Sequence, residues 1–234
     1  MMCDKFVCQL TGGFMVLIFD LDDTLYDEMS FVKSGLLAVA QHGEVSYGWN
    51  AKDSFNFMET QLRLHGRGKI FDDWLSLHGV YSAKRLFESI KIYRHHVPEI
   101  TLFYDTLEIL NYYYEKFPLY LVTDGHKIAQ KNKIDALKIS SYFKRSFITH
   151  RFGIKNSKPS LHCFNIIRNS ECCSWSEMVY VGDNPNKDFV NLKKAGALTI
   201  RVSTGAFANQ KFNSEYDADK TIENLSGLLE LIEY

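Results

Sequence analysis

Residues 15–24 read MVLIFDLDDT, an uninterrupted apolar run that ends in a cluster of acids. A strand covered by helices on both faces needs no polar alternation, so residues 15–20 predict a buried parallel strand. Residues two apart in a strand or tight turn point the same way, so Asp20 and Asp22 can face a common site. Two carboxylates this close repel each other, and a divalent cation or a difference in protonation would relieve that repulsion.

Strands and helices alternate along the second half of the chain. Further strands are predicted from PLYLVT at 118–123, MVYVG at 178–182 and ALTIRV at 197–202. Helical patterns occupy residues 106–116, 126–137, 159–168 and 185–195, the last ended by Gly196 as a C-cap. This alternation predicts an α/β fold with a doubly wound parallel sheet, a Rossmann-like core.

Residues 26–97 differ from the rest because they have helical periodicity and no convincing strand. The pattern predicts helices at 31–41, 51–65, 70–77 and 83–95. We therefore expect an α-helical cap domain at 26–97, inserted into a catalytic core of residues 14–25 and 98–234. Residues 1–13 form an N-terminal extension to which we assign no function.

Composition limits the classes of partner. The 234 residues carry a formal net charge of -1, so there is no global positive field that would attract nucleic acid or acidic lipid. Apolar stretches are far shorter than the ~20 residues that a membrane span requires. The cysteines form an odd count of 5 without metal-type spacing, which indicates reduced thiols in a cytoplasmic protein. A small molecule is the expected partner, and the sequence leaves monomer and homodimer open.

Two phosphate-binding candidates follow the first acidic cluster. Thr123, Asp124 and Gly125 offer a hydroxyl and the backbone amides of a helix start, which suit a phosphate oxygen. Lys158 precedes Pro159, a residue that fits a first helical turn, and supplies a point charge. Taken singly, the first motif reads as a helix cap and Lys158 as a solvated surface residue.

A second pair of acids closes the set. Asp183 and Asp188 follow the strand predicted at 178–182, and together with Asp20 they supply the hard oxygen ligands that suit Mg²⁺. An isolated aspartate pair would more simply cap a turn. The conjunction of all four motifs, each at a strand end or helix start of one sheet, is far more specific than any member.

In motif and order, the sequence resembles the haloacid dehalogenase superfamily, in its phosphatase branch with a type 1 helical cap. The family pattern has Asp-x-Asp-x-Thr, a strand-ending Thr or Ser, a lysine, and Gly-Asp with a second acid four or five residues on. It is met here by residues 20–24, Thr123, Lys158, and Asp183 with Asp188. The resemblance covers about residues 15–26 and 100–202, and it implies a Mg²⁺-dependent phosphatase.

The resemblance also implies a role for each matched residue. Asp20 would attack phosphorus and form an aspartyl-phosphate, while Asp22 would act as general acid and base. Phosphate would be held by Thr123, Asp124, Gly125 and Lys158. Mg²⁺ would be held by Asp20, the backbone carbonyl of Asp22, Asp183 and Asp188. The substrate would be a small phosphorylated metabolite: a sugar phosphate, a nucleotide or a sugar-acid phosphate.

Alternatives remain within and outside this chemistry. The acid at Asp22 disfavours carbon–halogen cleavage, which needs no proton donor there, but a phosphomutase keeps both aspartates. A non-catalytic binding or regulatory protein would be expected to have degenerate motifs, and none is degenerate. Substrate specificity is a matter for the cap, where the candidates are Arg63, Arg67, Lys69 and Arg94.

Overall fold

The computed structural model describes residues 14–232, so the predicted extension at 1–13 lies outside the described residues. Contacts divide the chain into two compact units. One comprises the described residues up to Asp27, Thr101–Lys127 and the residues from Leu137 on. The other comprises Glu28–Ile100 and Ile128–Ala136. The cap boundaries of 26–97 stay a prediction.

The first unit is built on a six-stranded sheet in which all pairings are parallel. Its strands are β1 Val16–Phe19, β2 Leu119–Thr123, β3 Arg145–Ile148, β4 Met178–Gly182, β5 Leu198–Val202 and β6 Lys220–Ile222. Their order is β3-β2-β1-β4-β5-β6. Strands β2 and β3 are therefore added on one side of β1, and β4, β5 and β6 on the other. The position between β1 and β4 is the topological switch point, where doubly wound folds bind ligands. The predicted α/β fold class is confirmed.

Helices cover this sheet because its central strands are apolar on both faces. Every residue of β1, β2 and β4 is buried, as expected of parallel strands between helical layers. One face carries a cluster that includes Ile18, Val122, Phe164 and Phe189. The helices that belong to this unit are α5 Thr106–Tyr114, α7 His162–Glu171, α8 Val190–Ala195 and α9 Leu228–Leu231.

Two predicted helices begin later than expected. The helix predicted from 159 begins at His162 and the helix predicted from 185 begins at Val190. In the second case, Asp188 Oδ2 accepts the Asn184 amide at 2.9 Å, so side-chain bonding holds a turn where a helix was expected. Strands β3 and β6 were not predicted, because their short sequences RSFI and KTI are partly polar and partly exposed.

The second unit is helical. It contains α1 Glu28–Tyr47, α2 Ala51–His65, α3 Ile70–Leu77, α4 Ala83–His95 and nearly all of α6, Lys127–Ala136. Leu36, Val39, Met58 and Trp74 lie in its core. Helix α6 joins this core through Asn132, whose side-chain amide donates to the His95 and His96 carbonyls at 3.2 and 2.9 Å.

Two negative findings concern the described residues. Among residues 14–232, no helix has the length and apolar character needed to cross a bilayer. Cys163, Cys172 and Cys173 are free thiols, while Cys3 and Cys8 lie outside the described range.

Candidate active site at the switch point of the sheet

Three buried acids meet at the carboxyl end of the central strands. Asp20 follows β1 and Asp183 follows β4, and the Asp20 amide donates to the Val181 carbonyl at 2.8 Å, which aligns the two strand ends. Asp188 stands at the end of the turn that follows Asp183. Each of the three offers a carboxylate oxygen within 4.8 Å of the others, and each is at most 5% exposed.

Lys158 completes this cluster. Its Nζ lies 2.8 Å from Asp20 Oδ1 and 2.7 Å from Asp188 Oδ1, and it donates to the Tyr180 hydroxyl at 2.9 Å. The ammonium reaches the acids from the loop before α7, and its side chain is only 1% exposed. The alternative that Lys158 is a solvated surface residue is wrong, because burial of an ammonium requires such partners.

Asp20 and Asp183 lie in an environment that disfavours their ionised forms. Burial raises the pKa of Asp20 to about 6, with Lys158 opposing the rise and Asp188 adding to it. Burial, Asp188 and Asp20 raise the pKa of Asp183 to about 9. The pKa of Lys158 is raised because the two acids outweigh the opposing effect of burial. The cluster thus carries more acid than one lysine can balance.

This cluster suits a divalent cation by its own chemistry. Asp20 Oδ2 is buried and has no hydrogen-bond partner among the described residues, and three carboxylates converge on the same space. Half-buried Lys187 also interacts with Asp20 and Asp188, which raise its pKa against the effects of burial and Lys158. If all three carboxylates ionise, the two charged lysines still leave an excess of negative charge. Hard oxygen ligands of this kind favour Mg²⁺.

Asp22 is held beside this cluster by its own loop. It is half-buried, and the fully buried Tyr26 donates its hydroxyl to Asp22 Oδ1 at 2.5 Å. Asp23 has a φ of 54°, a left-handed conformation that aspartate tolerates better than most residues. Thr204 donates to the Asp23 carbonyl, and a side chain at Gly205 would put its Cβ 2.2 Å from Asp23 Oδ2.

The end of β2 supplies the predicted phosphate loop. Thr123 is fully buried, and Gly125 has a φ of 137°. The carboxylate of Asp124 accepts the Thr149 hydroxyl at 2.6 Å and the Lys158 amide at 3.1 Å. Asp124 therefore holds the end of β3 and the loop of Lys158 against β2. Its bond with the Lys158 amide fixes the backbone from which the lysine side chain extends.

The predicted specificity residues divide into two groups. Arg63 and Arg67 line a cavity of about 570 Å³ in the helical unit, together with Lys33 and Glu59. Arg67 is already engaged, because its two terminal nitrogens donate to the Glu28 carboxylate at 3.1 and 2.7 Å. The other two predicted specificity residues, Lys69 and Arg94, are not among the residues that line this cavity.

Sequence reasoning missed four residues of the site. Tyr26 follows the first acidic cluster, Thr149 follows an unpredicted strand, Tyr180 lies inside a strand that was assigned only to the core, and Lys187 sits between the two later acids. A tyrosine in the otherwise apolar run MVYVG was the available signal for Tyr180, since a buried hydroxyl needs a partner.

Known proteins resemble this chain in sequence and in fold. The family model described as "Haloacid dehalogenase-like hydrolase" matches residues 17–202. A glyceraldehyde 3-phosphate phosphatase from Methanocaldococcus jannaschii is 29% identical over 223 residues, which cover 92% of this chain and 96% of that protein.

Two solved structures show the same fold. The HAD-hydrolase YfnB from Bacillus subtilis, bound to magnesium, has a TM-score of 0.70 at 17% identity and covers 94% of this chain and 99% of its own. A 2-haloacid dehalogenase from Pseudomonas syringae has a TM-score of 0.65 at 20% identity, over 94% of this chain and 98% of its own.

Proposed function

The chain belongs to the haloacid dehalogenase-like hydrolase family, and from that premise we propose that it is a Mg²⁺-dependent phosphatase acting through an aspartyl-phosphate on a small phosphate monoester. The observation that carries this proposal is the buried ammonium of Lys158, held between Asp20 and Asp188 where the central strands end. The resemblance that the sequence suggested is confirmed at the level of the family. Because the fold neighbours include a dehalogenase, the reaction has to be argued from the side chains.

Asp20 has the properties of a nucleophile. Its backbone is fixed by the strand, one carboxylate oxygen faces Lys158, and Oδ2 has no hydrogen-bond partner among the described residues. With a pKa of about 6, the group is largely ionised at neutral pH. We propose that Oδ2 attacks phosphorus, so that the P–O bond to the leaving group breaks and a phosphate–aspartate bond forms.

Asp22 is proposed to act first as general acid and then as general base. It gives a proton to the leaving oxygen and then takes one from the water that hydrolyses the aspartyl-phosphate. The hydrogen bond that Tyr26 donates to Asp22 Oδ1 at 2.5 Å orients the carboxyl group for this role. An acid is useful for an alkoxide leaving group and unnecessary for a halide, so Asp22 favours phosphate chemistry.

The remaining residues are proposed to bind phosphate and metal. Thr123, the amide of Gly125 and Lys158 would hold phosphate oxygens, with Asp124 bracing their loops. The carboxylates of Asp20, Asp183 and Asp188, with the Asp22 carbonyl, would hold Mg²⁺. When bound, this ion supplies charge that offsets repulsion between the acids and an anionic phosphate.

The names of two relatives support a proposal for the substrate class. The M. jannaschii relative is named for glyceraldehyde 3-phosphate, and so is a Pyrococcus furiosus relative that is 25% identical over 242 residues. We propose a small phosphorylated sugar of this size class as the first substrate to test, in a protein of the cytoplasm.

A panel of phosphate esters with Mg²⁺ tests the proposal. The panel contains glyceraldehyde 3-phosphate, other sugar phosphates, nucleoside monophosphates and sugar-acid phosphates, and phosphate release is measured. Asp20→Asn should lower kcat by about 10³-fold or more, and Asp22→Asn by about 10²- to 10⁴-fold. Asp23→Asn is the matched control, because it makes the same chemical change at the residue after Asp22, and asparagine also tolerates the positive φ of this position.

The outcomes separate the candidate mechanisms. Hydrolysis in ¹⁸O-labelled water should leave one ¹⁸O in the released phosphate, and acid-quenched enzyme should gain the mass of one phosphoryl group at Asp20. Magnesium-dependent release that survives Asp20→Asn would refute the nucleophile. Isomerised phosphate esters without free phosphate would instead identify a mutase, and no turnover of any ester would favour a binding protein.

A further inference from the structure

Tyr180 is a core residue by position and a site residue by its hydroxyl. It is fully buried in the middle of β4, where its ring packs edge-on against Phe164 and Phe189, with centroids 5.2 and 6.4 Å away. The hydroxyl accepts a hydrogen bond from Lys158 Nζ at 2.9 Å and donates one to Asp188 Oδ1 at 3.2 Å. None of the proposed chemical steps uses this bridge.

The Tyr180 hydroxyl completes the set of oxygens around the lysine ammonium. A lysine ammonium has three N–H donors and no acceptor. Three oxygens surround Lys158 Nζ: Asp20 Oδ1 at 2.8 Å, Asp188 Oδ1 at 2.7 Å and the Tyr180 hydroxyl at 2.9 Å. Because the tyrosine's own proton points to Asp188, its lone pairs face the ammonium. Lys158 Nζ is therefore held by a hydrogen bond to the tyrosine hydroxyl and by ion-pair contacts with the two carboxylates.

This complete set bears on the proposed reaction. For Lys158 to donate to a phosphate oxygen, one of its three contacts must be exchanged. Asp20 is the contact that changes, because its carboxylate loses its negative charge when it becomes an acyl phosphate. The other two contacts keep their chemical character throughout the cycle. They are the only contacts of this set that can hold the ammonium while the third donor moves.

We propose that Tyr180 is a positioning residue for phosphoryl transfer. Its hydroxyl holds the Lys158 ammonium in place while one donor is exchanged from Asp20 to the transferring phosphate. Without the hydroxyl, the ammonium loses its hydrogen-bond acceptor and is held only by the two carboxylates. When the contact with Asp20 is released, Asp188 alone then fixes the position of the ammonium, so it stabilises the transferring phosphate less well. The inference rests on the proposed function, and it also makes a claim about Lys158 that can be tested without turnover.

The chain offers a matched control in Tyr120 of β2. Tyr120 is also buried and belongs to the same hydrophobic cluster as Tyr180. Its hydroxyl bonds instead to Glu171, and the oxygens around Lys158 do not include it. Replacing either tyrosine with phenylalanine removes one buried hydroxyl from a strand and keeps the ring, so the two substitutions differ in their relation to Lys158.

Kinetics give the first test. Tyr180→Phe should lower kcat roughly tenfold to hundredfold, the range for one hydrogen bond to a charged group, while KM changes far less. Tyr120→Phe should keep the wild-type kcat. In a Lys158→Arg background the tyrosine substitution should cost much less, because its effect runs through the ammonium. Equal losses in both backgrounds would indicate a structural role and overturn the proposal.

The second test is independent of activity. With ¹⁵N-labelled lysine, the Lys158 ammonium should give a signal protected from exchange with water, identified by its loss in Lys158→Arg. Tyr180→Phe should shift or broaden that signal, and Tyr120→Phe should not. If the wild type releases no phosphate but the signal responds, the proposed function fails and the placement of Lys158 by Tyr180 stands. An unchanged signal together with an unchanged kcat overturns the inference.

Discussion

Removal of the Lys158 charge should destabilise the metal-free protein strongly. In Lys158→Met, the contacts at 2.8 and 2.7 Å to Asp20 and Asp188 are lost, and both carboxylates are at most 3% exposed. Breaking a buried ion pair by removing one partner costs about 3–5 kcal/mol. For a chain of this size, about 2–4 °C per kcal/mol converts this loss to a melting temperature roughly 6–20 °C lower.

The structure also predicts how conditions change this loss. At pH 5 Asp20, whose pKa burial raises to about 6, can take up a proton. The loss of stability should therefore be smaller than at pH 8, where protonation of this carboxylate costs about 1.4 kcal/mol for each pH unit above its pKa. Saturating Mg²⁺ should also reduce the loss, because the cation replaces the lost positive charge at the same carboxylates.

Thermal melts in EDTA and in Mg²⁺, at pH 5 and pH 8, measure these differences. The matched control is Lys155→Met, which removes an exposed lysine from the preceding turn. The reasoning would be refuted if Lys158→Met and Lys155→Met had the same melting temperature in EDTA at pH 8. A loss that is the same under all four conditions would also refute it.

Three more expected outcomes concern other parts of the molecule. The pKa of Asp183 is raised to about 9 in the folded protein, so the unfolded state loses this proton at a lower pH than the folded state does. The free energy of unfolding of the metal-free protein should therefore fall from pH 5 to pH 8, by up to about 1.4 kcal/mol per pH unit. In urea melts with EDTA, the free energy of unfolding of Asp183→Asn should depend less on pH. Gly205→Ala should lower the melting temperature, because its Cβ would lie 2.2 Å from Asp23 Oδ2, and Asp23→Gly in that background should restore part of the loss. Arg67→Met, which breaks an ion pair between the exposed Arg67 side chain and Glu28, should lower the free energy of unfolding by under about 1 kcal/mol in a urea melt.

The predictable part of the site is the part fixed by parallel strands. Asp20, Thr123 and Asp183 follow or end apolar runs, and the carboxyl ends of parallel strands meet at one edge whatever the loops do. That is why a sequence pattern could bring them together without knowledge of a single contact. The strands β3 and β6 escaped prediction because they are short and partly polar, so the periodic signal is too weak.

The contacts that depend on tertiary placement could not be predicted. The sequence around Lys158 fits a solvated lysine, and only the loop held by Asp124 brings its ammonium under the strand ends. Likewise, Tyr180 belongs to an ordinary apolar strand until Lys158 and Asp188 surround its hydroxyl. Lys158 is 34 residues from Asp124 and 22 residues from Tyr180, and neither residue ends a strand in a way that a local pattern could align with Lys158.

The charged cluster of the site lowers the stability of the fold. Ionisation of all three buried carboxylates beside two lysines would leave excess negative charge at the switch point of the sheet. The raised pKa values of Asp20 and Asp183 reflect the free energy that this ionisation costs. A fold selected for stability alone would replace such a cluster with apolar residues. The same repulsion favours the binding of a cation to the acids, so metal binding and stability are linked. Mg²⁺ should stabilise the wild type more at pH 8 than at pH 5, because at lower pH it competes with protons for the same oxygens.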